Sequence, residues 1–234
     1  YFQNRRVESI QWCRRAIEEA QRGNAKDALA EAYKVLDLAH LENGEIEQAT
    51  YSQHALTIYE ELGDLRNQAL VLNNQGLIAH DASRWDESRG LYERALEIAE
   101  QIGDRSMGAL MKYNLSEILI DQGRYDEAEP LIREVIRLWR ASGAEGDVAE
   151  GQRELARLLA RRGAFEPARA LLDEARTYQA HIGKQGEVLR TDARIAELLL
   201  LTGDPSAAVD VLGIADDLAA TTDGGSVMES ALAR

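Results

Sequence analysis

The side chains that most often carry chemistry are few and scattered in this sequence. The histidines are His40, His54, His80 and His181. None stands four residues from another histidine or beside the single cysteine, Cys13, so no metal-ligand spacing is present. A lone cysteine in an alanine-rich helical stretch is more often a small buried hydrophobe than a nucleophile. The sequence therefore predicts no metal site, no cofactor and no enzymatic activity.

Two other patterns resemble catalytic motifs but lack an essential part. Gly143, Gly146 and Gly151 form a glycine-rich patch, but no lysine followed by serine or threonine comes after it, as a phosphate-binding loop requires. Paired acidic residues such as Glu60–Glu61 recur along the chain. Carboxylate catalysis needs a defined pocket, so this regular recurrence is more typical of solvated helix faces and helix ends.

The composition indicates a folded helical chain. Hydrophobic residues make up 45% of the 234 residues, which is enough to form a core, and prolines number only three. No apolar run approaches the ~18 residues that a membrane span needs. A single cysteine rules out an internal disulfide and fits a reducing cytoplasm. We therefore expect a cytoplasmic protein that does not bind membranes.

The net charge of −14 argues against a nucleic-acid partner, because such a surface repels phosphates. The charge is uneven, since residues 133–194 contain 12 basic and 10 acidic side chains. Two interpretations of this more basic stretch remain open. Its arginines either form ordinary ion pairs with carboxylates on helices, or they make an anion-selective stretch of a groove.

Glycines recur with a period of forty residues. One series is Gly63, Gly103, Gly143 and Gly183, and a second, displaced by twenty, is Ser83, Gly123, Gly163 and Gly203. Gly44 and Gly23 continue the pattern backward with a slip of one residue. Apolar residues recur at helical spacing between these points, where glycine can end a helix in the left-handed conformation. Asp64, Asp104 and Asp204 can cap the helices that follow. The pattern predicts an all-α chain of repeated antiparallel helix pairs.

This repeat resembles the tetratricopeptide repeat, which has apolar and small residues in its first helix and the pattern A-x3-F-x2-A in its second. One unit shows the match at Leu155, Ala156, Leu159, Ala168, Leu172 and Ala175. The resemblance implies an α-solenoid of antiparallel helix pairs with a right-handed superhelical twist. It implies about five repeats and an N-terminal half repeat over residues 5–219, with Tyr92 filling the core of one helix pair. The period of forty departs from the usual thirty-four residues and implies longer helices.

The two ends are expected to lie outside this repeat domain. Residues 1–4 read as the remnant of a cleavable purification tag. Residues 220–234 are expected to form a flexible tail or the start of a truncated further helix.

The amino-acid sequence of the repeats also resembles that of one class of larger proteins. The segment from Ala55 to Asp64 is similar to the segment from Ala95 to Asp104. Both look like the C-terminal helical repeats of bacterial multidomain class III adenylate and guanylate cyclases, and like repeats of ATPase-linked transcriptional regulators. The resemblance implies a regulatory interaction domain in a bacterial signalling protein. It would bind a protein or peptide segment, or other domains of the same full-length protein, in a concave groove. The alternative is a receptor for a short signalling peptide or another small ligand.

The resemblance to tetratricopeptide repeats also implies which side chains face that groove. Carried onto this sequence, they include Asn73, Asn74, Tyr113, Asn114, Glu117, Arg153, Arg157, Arg190 and Arg194. Asn74 and Asn114 are forty residues apart at one repeat position, and an asparagine can donate to and accept from a peptide backbone at once. Arg190 and Arg194 look like half of a carboxylate clamp, but Glu154 stands where the other half needs asparagine.

Overall fold

The structure, a computed structural model, describes residues 2–221, with side chains described for residues 8–213 except 42 and 46. In this part of the chain the regular elements are helices. They are α1 (Phe2–Arg22), α2 (Lys26–Glu42), α3 (Ser52–Leu62), α4 (Leu65–Asp81), α5 (Trp85–Gln101), α6 (Arg105–Asp121), α7 (Tyr125–Ser142), α8 (Glu145–Arg161), α9 (Phe165–His181), α10 (Gln185–Leu201) and α11 (Pro205–Thr221). A short 3₁₀ turn, Ile46–Gln48, lies between α2 and α3. Residues 2–4 of the expected tag remnant fall in α1, and residues 222–234 of the expected tail lie outside the described residues.

The chain divides into two compact units, with the boundary after Ile118. In unit 1, α1 to α4 each pack against the next helix in the chain, and in unit 2 α7 to α10 do the same. The helices α2 and α4 also contact each other, as do α8 and α10. We call α2, α4, α6, α8 and α10 the first helices, since each begins a repeat, and α3, α5, α7, α9 and α11 the second helices. The expected all-α class, an α-solenoid of antiparallel helix pairs, is confirmed.

The predicted helix ends are present. Gly63 and Gly143 end α3 and α7 with φ angles of 69° and 74°, in the left-handed region where glycine has no Cβ to clash. Ser83, at the matching place between α4 and α5, has a φ of 57°. Near the N-terminus, where the glycine series is displaced by one residue, the structure corrects the prediction that Gly23 ends the helix. Asn24, and not Gly23, is left-handed there, with a φ of 49°. Asparagine tolerates this conformation better than most residues with a side chain.

The predicted aspartate caps are also present. Each uses its Oδ1 to accept a hydrogen bond from the backbone N–H three residues later, at 3.0 Å: Asp64 from Asn67, Asp104 from Met107 and Asp204 from Ala207. These bonds satisfy amides that have no partner inside the helix. The caps therefore fix where α4, α6 and α11 begin.

The helix pair α4–α5 shows why one position of the repeat is small. Tyr92 of α5 is 1% exposed, and its ring lies against Gly76 of α4. Ser88 Oγ donates a hydrogen bond to the Gly76 carbonyl oxygen at 2.7 Å. Tyr92 thus fills the core between these helices, as its place in the repeat predicts.

Candidate functional site

In unit 1 the first helices α4 and α6 are joined by their asparagine side chains. Asn114 Nδ2 donates to Asn73 Oδ1 at 2.7 Å, and both side chains are buried. Asn73 Nδ2 lies 3.5 Å from Asn74 Oδ1, at the limit of a hydrogen bond. Asn74 itself is half-buried. Of the two asparagines expected to hold a peptide backbone, Asn114 is therefore occupied by a neighbouring helix, while Asn74 is only half-buried.

The rest of the predicted unit 1 site lies on α6. The Tyr113 hydroxyl donates to Glu117 Oε1 at 3.2 Å, one helical turn away. Tyr113 is buried and Glu117 is half-buried. Leu110, one turn before Tyr113 and Asn114, is exposed. This surface combines apolar area with a carboxylate.

Sequence reasoning missed two apolar residues on α2. Val35 and Leu38 stand thirty-nine residues before Asn74 and Leu77, and they are 40% and 36% exposed. The helices α2 and α4 are in contact, and Lys34 Nζ donates to Asn67 Oδ1 at 3.0 Å. We call Val35, Leu38, Asn74, Leu77, Leu110, Tyr113 and Glu117 the unit 1 face. The first repeats are spaced thirty-nine residues apart instead of forty. Applying this displacement of one residue to the sequence would have placed Val35 and Leu38 in the unit 1 face.

In unit 2 the predicted arginines of α8 form ion pairs with carboxylates of other first helices. Arg153 Nη1 lies 2.8 Å from Glu187 Oε2 of α10. Arg157 Nη1 lies 2.6 Å from Asp121 Oδ1 at the end of α6, and its Nε lies 2.8 Å from Glu154 Oε2. Arg153 and Glu154 are both buried. Buried charges of this kind are stable only when paired, so these contacts hold the first helices in register.

The predicted arginines of α10 share carboxylates that already have a partner. Arg190 Nη1 lies 3.5 Å from Glu187 Oε1, and Arg194 Nη1 lies 3.0 Å from Glu197 Oε2. Glu197 is also held by Arg161 of α8, at 2.6 Å. All four arginines predicted for the groove are thus ion-paired, which favours the pairing interpretation of the basic stretch. Two of these pairs, Arg153–Glu187 and Arg157–Asp121, run between helices at separations of about one repeat. The pairs of Arg157 with Glu154, of Arg190 with Glu187 and of Arg194 with Glu197 lie within one helix.

Glu150 of α8 differs from its neighbours. Its side chain is half-buried, and burial raises the pKa of its carboxyl above the ordinary value. Glu187 and Asp147 raise that pKa further, while Arg153 and Arg190 act in the opposite direction. We call Glu150, Arg153, Glu154, Arg157, Glu187, Arg190, Arg194 and Glu197 the unit 2 face.

The remaining candidates offer little chemistry. Cys13 is buried, and burial raises the pKa of its thiol, so the nucleophilic thiolate is disfavoured. Within the described residues no group of three or more His, Cys, Asp or Glu side chains is placed to hold a metal ion. None of the helices described is both long and apolar enough to span a membrane.

Comparison with protein families identifies the repeat. Two family models, both described as tetratricopeptide repeat, match residues 71–106 and 108–181. Residues 71–106 and 108–181 are therefore tetratricopeptide repeats. The matched segments contain α4 to α9 almost entirely, so the repeats found by period and those found by family agree. No curated protein matches this chain significantly.

Solved structures share the fold at low sequence identity. BtubC from P. vanneervenii is 20% identical with a TM-score of 0.75, and the match covers 94% of this chain and 92% of that one. A signal transduction ATPase with a tetratricopeptide repeat sensor, from Pyrococcus horikoshii, is 20% identical with a TM-score of 0.71, covering 88% of this chain and 32% of that one. The Rap conjugation gene regulator of plasmid pLS20, in complex with the Phr* peptide, is 13% identical with a TM-score of 0.74, covering 90% and 59%. At these identities the likeness establishes the fold.

Proposed function

We propose that this chain is a non-catalytic interaction and regulatory domain that binds a protein or peptide segment along its first helices. The observation that carries the proposal is the side-by-side contact of first helices within each unit. Asn114 touches Asn73 in unit 1, and Arg153 touches Glu187 in unit 2. Such contacts set the first helices of each unit side by side, so a surface formed by their side chains spans more than one helix. Concave or extended surfaces of this kind are how repeat proteins bind their partners.

The unit 1 face suits an extended segment. The Asn74 amide can donate to and accept from a peptide bond, and Val35, Leu38 and Leu110 offer apolar area beside it. The structural likeness to a Rap regulator in complex with the Phr* peptide supports the narrower alternative, a receptor for a short signalling peptide or another small ligand.

The proposed context is a larger bacterial signalling protein of the cyclase-linked or ATPase-linked type. The likeness to a signal transduction ATPase that has a tetratricopeptide repeat sensor supports it, and this chain spans 32% of that protein. In that context the partner can be another domain of the same full-length protein. The lone thiol of Cys13 fits a cytoplasmic location.

A binding comparison between matched variants tests this proposal. One variant, called the face variant, carries Asn74→Ala in the unit 1 face and Arg190→Ala in the unit 2 face. The control carries Arg94→Ala and Glu97→Ala, both exposed on the second helix α5. Circular dichroism first establishes that both variants fold. Each is then used to capture partners from lysate, and every captured protein or peptide is synthesised and titrated by calorimetry.

We expect the face variant to lose at least tenfold in affinity and the control to bind like the wild type. Mass spectrometry of the captured material separates a protein partner from a free peptide. Equal affinity of the wild type and the face variant for every captured partner would refute the proposal.

A further inference from the structure

The charged side chains around Glu150 in the unit 2 face carry more negative than positive charge. Five charged side chains interact there: Asp147, Glu150, Arg153, Glu187 and Arg190. Three are carboxylates and two are guanidiniums, so the cluster has one excess negative charge. Both guanidiniums are held by one carboxylate, Glu187.

Glu150 is the half-buried carboxylate of this cluster that has no ion-pair partner among the described residues. Asp147 is exposed to solvent, whereas Glu150 is half-buried. Within the described part of the chain Glu150 accepts no hydrogen bond and forms no ion pair, since Arg153 and Arg190 influence it only at longer range. Every other carboxylate of the unit 2 face is ion-paired.

A half-buried carboxylate without a partner is costly, because burial removes water that would solvate the charge. A cation that reaches Glu150 recovers that cost and forms a charge-assisted hydrogen bond. An anion would have to displace a carboxylate from an arginine that is already paired. Charge complementarity therefore selects a cationic group over an anionic one.

We propose that Glu150 is the recognition carboxylate for a cationic group on the segment that binds the unit 2 face, a lysine or arginine side chain or an N-terminal ammonium. This inference rests on the proposed function, and it specifies the chemistry of the partner. The sequence left open an anion-selective groove in this basic stretch. At this position the inference replaces that hypothesis with a groove that selects cations. The net charge of −14 favours the approach of such a partner.

A peptide array tests the inference with defined probes. Three sets of capped nine-residue peptides are random except at the centre, which is lysine, norleucine or glutamate. The wild-type chain is compared with Glu150→Gln, which keeps the shape and removes the charge. Glu145→Gln is the matched control, since Glu145 lies on the same helix and is exposed.

We expect the wild type and Glu145→Gln to bind lysine-centred peptides about tenfold better than norleucine-centred ones, which corresponds to about 1.4 kcal/mol. Glu150→Gln should bind both sets equally. Persistence of the lysine preference in Glu150→Gln, or a wild-type preference for glutamate, overturns the inference and leaves the proposed function standing. If the wild type binds none of the three sets, short-segment binding itself fails, and the inference fails with it.

Discussion

The ring of Tyr92 lies directly against the backbone of Gly76. A β-carbon built at Gly76 would stand 2.5 Å from Cε1 of that ring, closer than carbon atoms approach in proteins. Because Tyr92 is fully enclosed, the ring has no free space to move into. The contact between α4 and α5 therefore requires a residue without a side chain at position 76.

This contact predicts that Gly76→Ala destabilises the protein. We expect a loss of about 1–3 kcal/mol in the free energy of unfolding, the usual cost of an overpacked core. Gly90→Ala is the control, because a β-carbon at Gly90 in α5 meets nothing within 4 Å. There the gain in helix propensity should stabilise by roughly 0.5–1 kcal/mol. Urea unfolding of the two variants measures both effects.

A double-mutant cycle assigns the cost of Gly76→Ala to the ring. Tyr92→Ala alone should cost about 3–5 kcal/mol, since it empties a large part of the core. In that background Gly76→Ala should be nearly neutral, because the atom it would clash with is gone. An unchanged penalty for Gly76→Ala without the ring would show that another contact is responsible.

The Asp64 cap predicts a defined response to acid. Hydrogen bonds from the side chain and the backbone N–H of Asn67 lower the pKa of the Asp64 carboxyl below its ordinary value. A folded pKa below the unfolded one stabilises the protein above the unfolded pKa, and that contribution is lost as pH falls through the folded pKa. Asp64→Ala should therefore cost about 0.5–2 kcal/mol at neutral pH and much less in strong acid.

Asp64→Asn separates the cap from its charge. Asparagine is an equally good cap, so this variant should stay close to the wild type near neutral pH. It cannot titrate, so its stability should lack the acid-dependent part that Asp64 contributes. Unfolding measured between pH 2 and pH 7 gives both curves, and parallel curves for Asp64→Asn and the wild type would contradict the argument.

A buried aspartate predicts an effect on the connection between α2 and α3. Asp37 is fully buried, and it accepts hydrogen bonds from the backbone N–H of Tyr51 at 3.0 Å and from the Ser52 hydroxyl at 2.6 Å. The Ser52 N–H also donates to it, at 2.5 Å. Asp37→Ala should cost about 2–3 kcal/mol, since it leaves several donors unsatisfied.

Hydrogen exchange localises that cost. Exchange at the Ser52 amide should become faster in Asp37→Ala even under conditions where global unfolding is rare. Glu47→Ala is the control, because Glu47 is exposed in the 3₁₀ turn of the same connection. If Ser52 exchanges no faster in Asp37→Ala than in the control, the aspartate does not hold the start of α3.

The repeat architecture was predictable because its signals are local. A glycine that ends a helix, an aspartate that caps the next one and the small position opposite Tyr92 each depend on neighbours within one repeat. The pairing of Asn114 with Asn73 was not predictable, because it depends on how closely two first helices approach. The same is true of Arg153, whose carboxylate partner lies 34 residues away and not one turn along α8.

The unpaired carboxylate of Glu150 predicts the opposite pH dependence to that of Asp64. Burial raises the pKa of Glu150 in the folded state, so the folded protein binds more protons than the unfolded one between the two pKa values. Stability due to this group is therefore greatest below the unfolded pKa, and it falls as pH rises through the folded pKa. Glu150→Gln should be more stable than the wild type at neutral pH, with the gain disappearing at acid pH, and urea unfolding at several pH values measures both. A gain in stability of equal size at pH 3 and pH 7 would mean that the gain does not come from removing the charge of Glu150. In that case burial of this carboxylate does not destabilise the protein, and a bound cation would have no such destabilisation to relieve.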